Sequence, residues 1–241
     1  MIKLICSLRA ILGLLVFLPF TLLWSGVAIL EAFLIHKHDL ESWIMSIWSR
    51  ICLRIFGVRL EVKGLERIPQ GGGVLLFNHT SFFDIFTLQA AYPHFRFGAK
   101  IELFKIPLFG EAMRRFGVLP ISRGRREEVF KLYQDTVTRA HNGEKFALSP
   151  EGQRNHGETL LPFKSGPFIF AINAQIPLIP VVIRGAHDVL PKSQFLPNSD
   201  RWRRTIQVEY LAPISSTGFT LKERNELQEK AYQAMKPFFS D

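Results

Sequence analysis

From Ala10 to Leu30 the chain carries no charged residue, and the run is rich in Leu, Ile, Val, Phe and Trp. As one helix it is long enough to cross a hydrocarbon core of about 30 Å, and it is too apolar for an ordinary surface helix. A cleaved leader usually has an apolar core of about 7 to 15 residues. This run continues nearly to Ile35, so it reads as a retained anchor. Pro19 sits mid-run, between Gly13 and Gly26, and proline inside a helix deletes a hydrogen bond and crowds the preceding turn. Two readings stay open: a single span, or two shorter helices meeting near Pro19 in a re-entrant anchor with both ends cytoplasmic. Lys3 and Arg9 precede the run while Lys37, Arg50 and Arg54 follow it, so flanking charge does not choose an orientation.

The rest of a 241-residue chain suits one domain with a sizeable core. Its formal charge of +9 favours an anionic partner, which charge alone does not narrow among nucleic acid, an anionic bilayer and a phosphorylated substrate. Cys6 and Cys52 form no CxxC pair and lie in or near apolar sequence, which suggests neither a disulfide framework nor a zinc site.

Beyond the anchor, residues 36–57 read as a helix with Trp43, Ile47, Ile51 and Phe56 spaced by roughly three and four. Residues 59–63 alternate as a strand, and the glycines at 71–73 turn the chain into a short buried strand, 74–77. Helices are then expected at about 82–91, 107–116, 127–141, 168–174 and 221–235, with strands near 95–99, 145–148, 178–183 and 205–210. Helices interleaved with short apolar strands predict an α/β domain with a largely parallel central sheet flanked by helices. The expected division is an anchor and interfacial helix over 1–57 and a second, chemistry-bearing unit over 58–241.

His79 follows a strand and precedes a helix, where open sheets commonly present functional groups. If Thr80 and Ser81 turn the chain into the helix, Asp84 in its first turn can accept the Nδ1 proton of the imidazole. Nε2 is then free to take a proton from an alcohol. Ser81 to Asp84 also matches a capping box, in which Asp84 would only bond the first turn. A second cluster, Ser149-Pro150-Glu151-Gly152-Gln153-Arg154, follows a strand, and its Pro and Gly enforce a tight turn projecting Glu151 and Arg154. The planar guanidinium fork of an arginine suits a phosphate.

Asn78-His79-Thr80-Ser81-Phe82-Phe83-Asp84 resembles the NHxSxxD motif of glycerolipid acyltransferases, especially the 1-acylglycerol-3-phosphate acyltransferase family. The second cluster looks like that family's PEGxR motif, and Gly117-Val118-Leu119-Pro120-Ile121-Ser122-Arg123 resembles its intermediate block. Ile176-Pro177-Leu178-Ile179-Pro180-Val181 is similar to the fourth, an apolar strand carrying proline. The blocks stand in family order. The resemblance implies His79 as general base, Asp84 as its orienter, and Lys100, Arg123, Glu151, Gly152 and Arg154 in acceptor binding. It implies acyl transfer from acyl-CoA or acyl-carrier protein, with no cofactor and no metal, and a membrane location with the site at the cytoplasmic face. Ser149, Gln153 and Asn155 depart from the common Phe, Thr and Ser of the motif, and Pro120 replaces a usual Phe. Those departures leave a different lysophospholipid or a lyso-aminolipid as rival acceptors. A non-catalytic basic membrane adaptor is the rival from another class.

The other histidines, 36, 38, 94, 141, 156 and 187, show no metal-ligand spacing and read as surface or structural. The tract Arg201 to Arg204, broken by Trp202, suits a bilayer surface better than nucleic acid in an anchored chain.

Overall fold

The alternation of helix and strand closes into a single seven-stranded sheet. The computed structural model describes residues 2–122, 125–157 and 159–239. In chain order the strands are β1 (Val58–Lys63), β2 (Gly73–Phe77), β3 (Arg96–Lys100), β4 (Leu119–Ile121), β5 (Lys145–Leu148), β6 (Leu178–Arg184) and β7 (Arg204–Tyr210). They lie side by side as β1-β7-β6-β2-β5-β3-β4. From β6 across to β4 every neighbouring pair is parallel. β7 is antiparallel to β6 and carries β1 parallel to itself. The parallel strands are apolar on both faces, as a sheet covered on both sides requires.

The helices are α1 (Ile2–Leu34), α2 (His38–Ile55), α3 (Phe83–Ala91), α4 (Phe109–Arg115), α5 (Arg126–His141), α6 (Gly166–Ala174), α7 (Ala186–Val189) and α8 (Arg224–Met235). One face of the sheet buries Leu75, Ile179 and Val181 against Trp48 and Leu53 of α2 and Phe83 and Phe86 of α3. The other buries Val74, Leu76 and Val182 against Phe168 and Phe170 of α6 and Leu227 and Ala231 of α8.

The apolar N-terminal run forms one unbroken helix of 33 residues, about 50 Å long at 1.5 Å per residue, so the two-helix reading of Pro19 does not hold. Proline leaves the Leu15 carbonyl without its helical donor. Packing nonetheless holds the two halves in line. Trp24 Nε1 donates to Ile44 O at 2.9 Å, and Trp48 Nε1 donates to Thr21 Oγ1 at 3.2 Å, both across to α2. The buried stripe of α1, Cys6, Ala10, Gly13, Ser25, Ala28 and Glu31, recurs at helical spacing and is made of small residues along most of its length. A Cβ at Gly13 would stand 3.1 Å from the Phe56 ring, so glycine permits this approach. The opposite face exposes Leu4, Leu8, Leu12, Leu15, Leu23, Leu30 and Phe33. α1 is therefore laid against α2 and α4 rather than standing clear of the domain.

Three further elements differ from the sequence expectation. β4, pairing Gly98 to Leu119 and Lys100 to Ile121, is too short to carry an alternation signal. The helix expected from Pro107 starts at Phe109, because Leu108 has a φ of 59° and breaks the first turn. The last helix is divided, its first turn being a 3-10 segment (Leu221–Glu223) with a Thr220/Glu223 capping box.

Candidate active site

Because β2, β3, β4 and β5 are parallel, their carboxyl ends share one edge of the sheet. Loops leaving such an edge are where open α/β sheets hold their ligands. His79 and Asp84 follow β2, Lys100 ends β3, and Glu151, Gly152 and Arg154 follow β5 at this edge.

Asn78 ends β2 as a fully buried staple. Its Oδ1 accepts from Ile183 N and its Nδ2 donates to Ile183 O, both at 2.8 Å, tying the strand end to β6. The chain then turns through His79 to Ser81 into α3. Asp84, 0% exposed, directs one oxygen back into that turn. Oδ2 meets His79 Nδ1 at 2.8 Å and accepts from Thr80 N at 2.8 Å and Ser81 N at 2.9 Å. The two sequence readings of Asp84, as cap and as imidazole partner, describe the same oxygen. With Nδ1–H held by a carboxylate, the neutral imidazole presents Nε2 as an acceptor. The His79 side chain keeps 14% of its surface open, and Phe77 packs edge-on to its ring at 5.8 Å. The Ser81 hydroxyl donates to Leu190 O at 2.9 Å, bracing the turn from the segment after α7.

The turn after β5 locks onto this loop. Glu151, 1% exposed, accepts from His79 N through Oε1 at 2.8 Å. Its Oε2 takes the Asn155 side-chain amide and Leu161 N, the latter at 3.2 Å. Asn155 N donates in turn to His79 O at 2.7 Å, so the backbone of His79 is held on both sides. Burial raises the Glu151 carboxyl above its ordinary value, opposed by these donors and by the nearby imidazole. Glu151 thus faces inward, onto the loop that carries His79. Gly152 has a φ of 68°, and a Cβ there would meet the Lys164 side chain at about 3 Å, so glycine serves both the turn and the approach. Arg154 is partly exposed at the rim, its carbonyl accepting from Lys192 Nζ at 3.3 Å. Among the described residues its guanidinium makes no hydrogen bond or ion pair.

Lys100 ends β3 on the same edge, exposed and 3.5 Å from Glu102. It lies in register with Ile121, and Arg123 lies outside the described residues. The structure therefore joins His79, Asp84 and Glu151 by direct hydrogen bonds and sets Lys100 and Arg154 on the same edge without such a bond to them. Asn155 is the member that residue type alone did not disclose. Its place as a departure within a motif was the only signal in the sequence.

An apolar cleft with a cavity volume of about 70 Å³ opens between α1, α2 and the sheet. Thr21, Trp24 and Ala28 of α1, Trp48 of α2, Phe82 and Phe97 are among its walls. Phe97 meets Phe77 at 6.3 Å, and Phe77 packs on the His79 ring, so a run of aromatic contacts links a wall of the cleft to the imidazole. A cleft with so few polar groups in its walls suits an alkyl chain.

Among the other histidines, folding brings together His38, Asp39 and His94, whose ligand atoms lie within 4.8 Å of one another on the surface. Sequence spacing hides this, since His94 comes from the loop before β3. Burial and the Arg96 guanidinium hold His38 below the usual histidine range, and the same positive charge opposes a cation there.

Residues 59–184 match the family described as acyltransferase. The chloroplastic 1-acyl-sn-glycerol-3-phosphate acyltransferase BAT2 of Brassica napus is 28% identical over 158 residues, covering 65% of this chain and 46% of its own length. The human 1-acyl-sn-glycerol-3-phosphate acyltransferase beta is 30% identical over 221 residues, covering 89% of this chain and 78% of its own. The chain thus spans less than half the length of the plant relative. Among solved structures, the crystal structure of the 1-acyl-sn-glycerophosphate (LPA) acyltransferase PlsC from Thermotoga maritima superposes with a TM-score of 0.77 at 22% identity. That likeness covers 97% of this chain and 95% of the other, and establishes a shared fold.

Proposed function

This chain belongs to the acyltransferase family, and from that premise we propose that it moves a fatty acyl group from a thioester donor to the free hydroxyl of 1-acyl-glycerol-3-phosphate, giving phosphatidate. The observation that carries the reading is the His79–Asp84 pair at 2.8 Å, linked through Phe77 and Phe97 to an apolar cleft. His79 Nε2 takes the hydroxyl proton as the oxygen attacks the thioester carbonyl. The tetrahedral intermediate collapses, the carbon–sulfur bond breaks, and the imidazolium returns its proton to the departing thiolate. Asp84 fixes the ring and stabilises its charged form. The donor is acyl-CoA or acyl-carrier protein, and its chain occupies the cleft.

Lys100, Arg123 and Arg154 hold the acceptor phosphate from the sheet edge. Glu151 and Gly152 contribute to acceptor binding through the turn they shape, the carboxylate bracing His79 and the glycine placing Arg154. Of the departures from the family pattern, Asn155 is engaged inward with Glu151, Thr159 O and Gly157 N, whereas Gln153 is exposed. Gln153 is therefore the position that favours the second reading, a different lysolipid acceptor. Residues 1–57 form the membrane anchor and 58–241 the acyltransferase domain, with the site at the cytoplasmic face. The exposed apolar side of α1 supports insertion along one leaflet, since the helix packs lengthwise on α2 and α4. A matrix of acyl-CoA and acyl-carrier-protein donors against phosphorylated and unphosphorylated lysolipids tests the assignment. Turnover restricted to acceptors other than lysophosphatidate would replace it with the second reading, and no thioester turnover at all would leave the adaptor.

A further inference from the structure

The segment between α7 and β7 carries features that acyl transfer does not use. Phe195 is 89% exposed and Trp202 53% exposed, and Arg201 and Arg203 flank the indole, both exposed. Asp200, the one acidic side chain of residues 190–203, is held by Arg204 through two hydrogen bonds at 2.7 and 2.8 Å. The outward charge of the segment is therefore positive.

This segment sits where the site and the anchor meet. β7 is antiparallel to β6, so its first residue, Arg204, lies at the edge that carries His79. Leu190 O accepts from Ser81 in the His79 turn, and Lys192 donates to the Arg154 carbonyl. At its other end the segment is fastened to α1. The Arg9 guanidinium donates to Trp202 O, lies 4.7 Å above the indole, and also reaches Asn198 O. Ser7 Oγ donates to Ser199 O at 3.1 Å. The exposed indole thus sits beside the part of α1 that exposes Ile5, Leu8 and Leu12.

We infer that residues 190–203 form a second membrane contact, in which Phe195 and Trp202 enter the headgroup region of an anionic bilayer and Arg201 and Arg203 bind lipid phosphates. An indole at the boundary, an exposed phenyl ring and paired guanidinium groups are the chemistry that an anionic lipid–water interface recognises. Because the segment borders both the His79 turn and Arg154, its insertion turns the mouth of the site toward the lipid surface. The inference rests on the membrane reading above.

The test uses the full chain reconstituted into vesicles of phosphatidylcholine, alone or mixed equally with phosphatidylglycerol. A polarity-sensitive fluorophore is placed at Phe195→Cys, with Glu229→Cys on the opposite face of the sheet as control. Cys6 and Cys52 are buried, so the label reports the introduced site. The expected result is a shift to an apolar environment at position 195, larger in the anionic vesicles and absent at position 229. Arg201→Gln with Arg203→Gln should cut the ratio of inserted to exposed segment by about thirtyfold in anionic vesicles. A label at 195 that stays aqueous while the protein floats with the vesicles overturns the inference and leaves the anchor standing. Failure to float removes the anchor reading and the inference together. A shift that rises with the protein-to-lipid ratio identifies a second copy as the occupant, which also overturns it.

Discussion

At the scale of single residues, the proposed chemistry rests on one imidazole nitrogen. His79→Ala should lower turnover by about 10² to 10⁴-fold, the usual contribution of a positioned base, with the circular dichroism spectrum unchanged. Asp84→Asn should lose a large part of the same factor. An amide cannot offer one oxygen to His79, Thr80 and Ser81 and still match all three as a carboxylate does. Near-normal turnover in both variants would remove the mechanism. Arg154→Lys keeps the charge and loses the planar fork, so it should raise the apparent KM for lysophosphatidate while thioester use changes less. An equal loss with an acceptor lacking the terminal phosphate would assign Arg154 to the fold or the donor instead. The contact between His79 and Asp84 is legible in the sequence, because five residues across a strand-to-helix turn bring the two side chains face to face. The inward aim of Glu151 is not. Which way a carboxylate points depends on Asn155 and on the backbone of a loop 72 positions earlier, and local sequence carries neither.

At the scale of elements, hydrophobic periodicity located almost every helix and strand, and the errors fall where tertiary contacts overrule local rules. Pro19 breaks helices in isolation, yet the indoles of Trp24 and Trp48 bind α1 to α2 on the far side of it. The cleft that this packing leaves was invisible to the sequence, since its walls come from six separate elements meeting in space. Ala28 lies toward the end of α1 remote from Arg9, and so farther from the site edge than Thr21 does. Ala28→Phe should therefore shorten the cleft and shift acyl preference to shorter chains. Each excluded methylene should cost roughly fourfold in kcat/KM, following its transfer free energy of about 0.8 kcal/mol. Competition between long and short acyl donors measures this, and an unchanged preference would place the acyl chain elsewhere.

At the scale of the whole molecule, the order of strands gathers residues that are scattered along the chain, and the parallel class of the sheet was legible from the alternation of elements. The reversed pair β7 and β1 was not, because nothing in an isolated strand encodes its direction. The exposed side of α1 should keep the protein with membranes through a high-salt wash, which screens charge but not apolar insertion, and only detergent should release it. Sedimentation and immunoblotting follow this directly, and full-length chain in the salt supernatant would remove the anchor. The fastening of Arg9 to the carbonyl of Trp202 has a further consequence, in the timing of synthesis. These residues are 193 positions apart, so at about 5 to 20 residues per second the ribosome makes Arg9 roughly 10 to 40 s before its partner. Over that interval β1 also lacks β7, with which Val58 will pair at Arg204. On the proposed membrane reading, the nascent α1 meets lipid before it meets the rest of its own protein, and the domain closes onto a helix already lodged there.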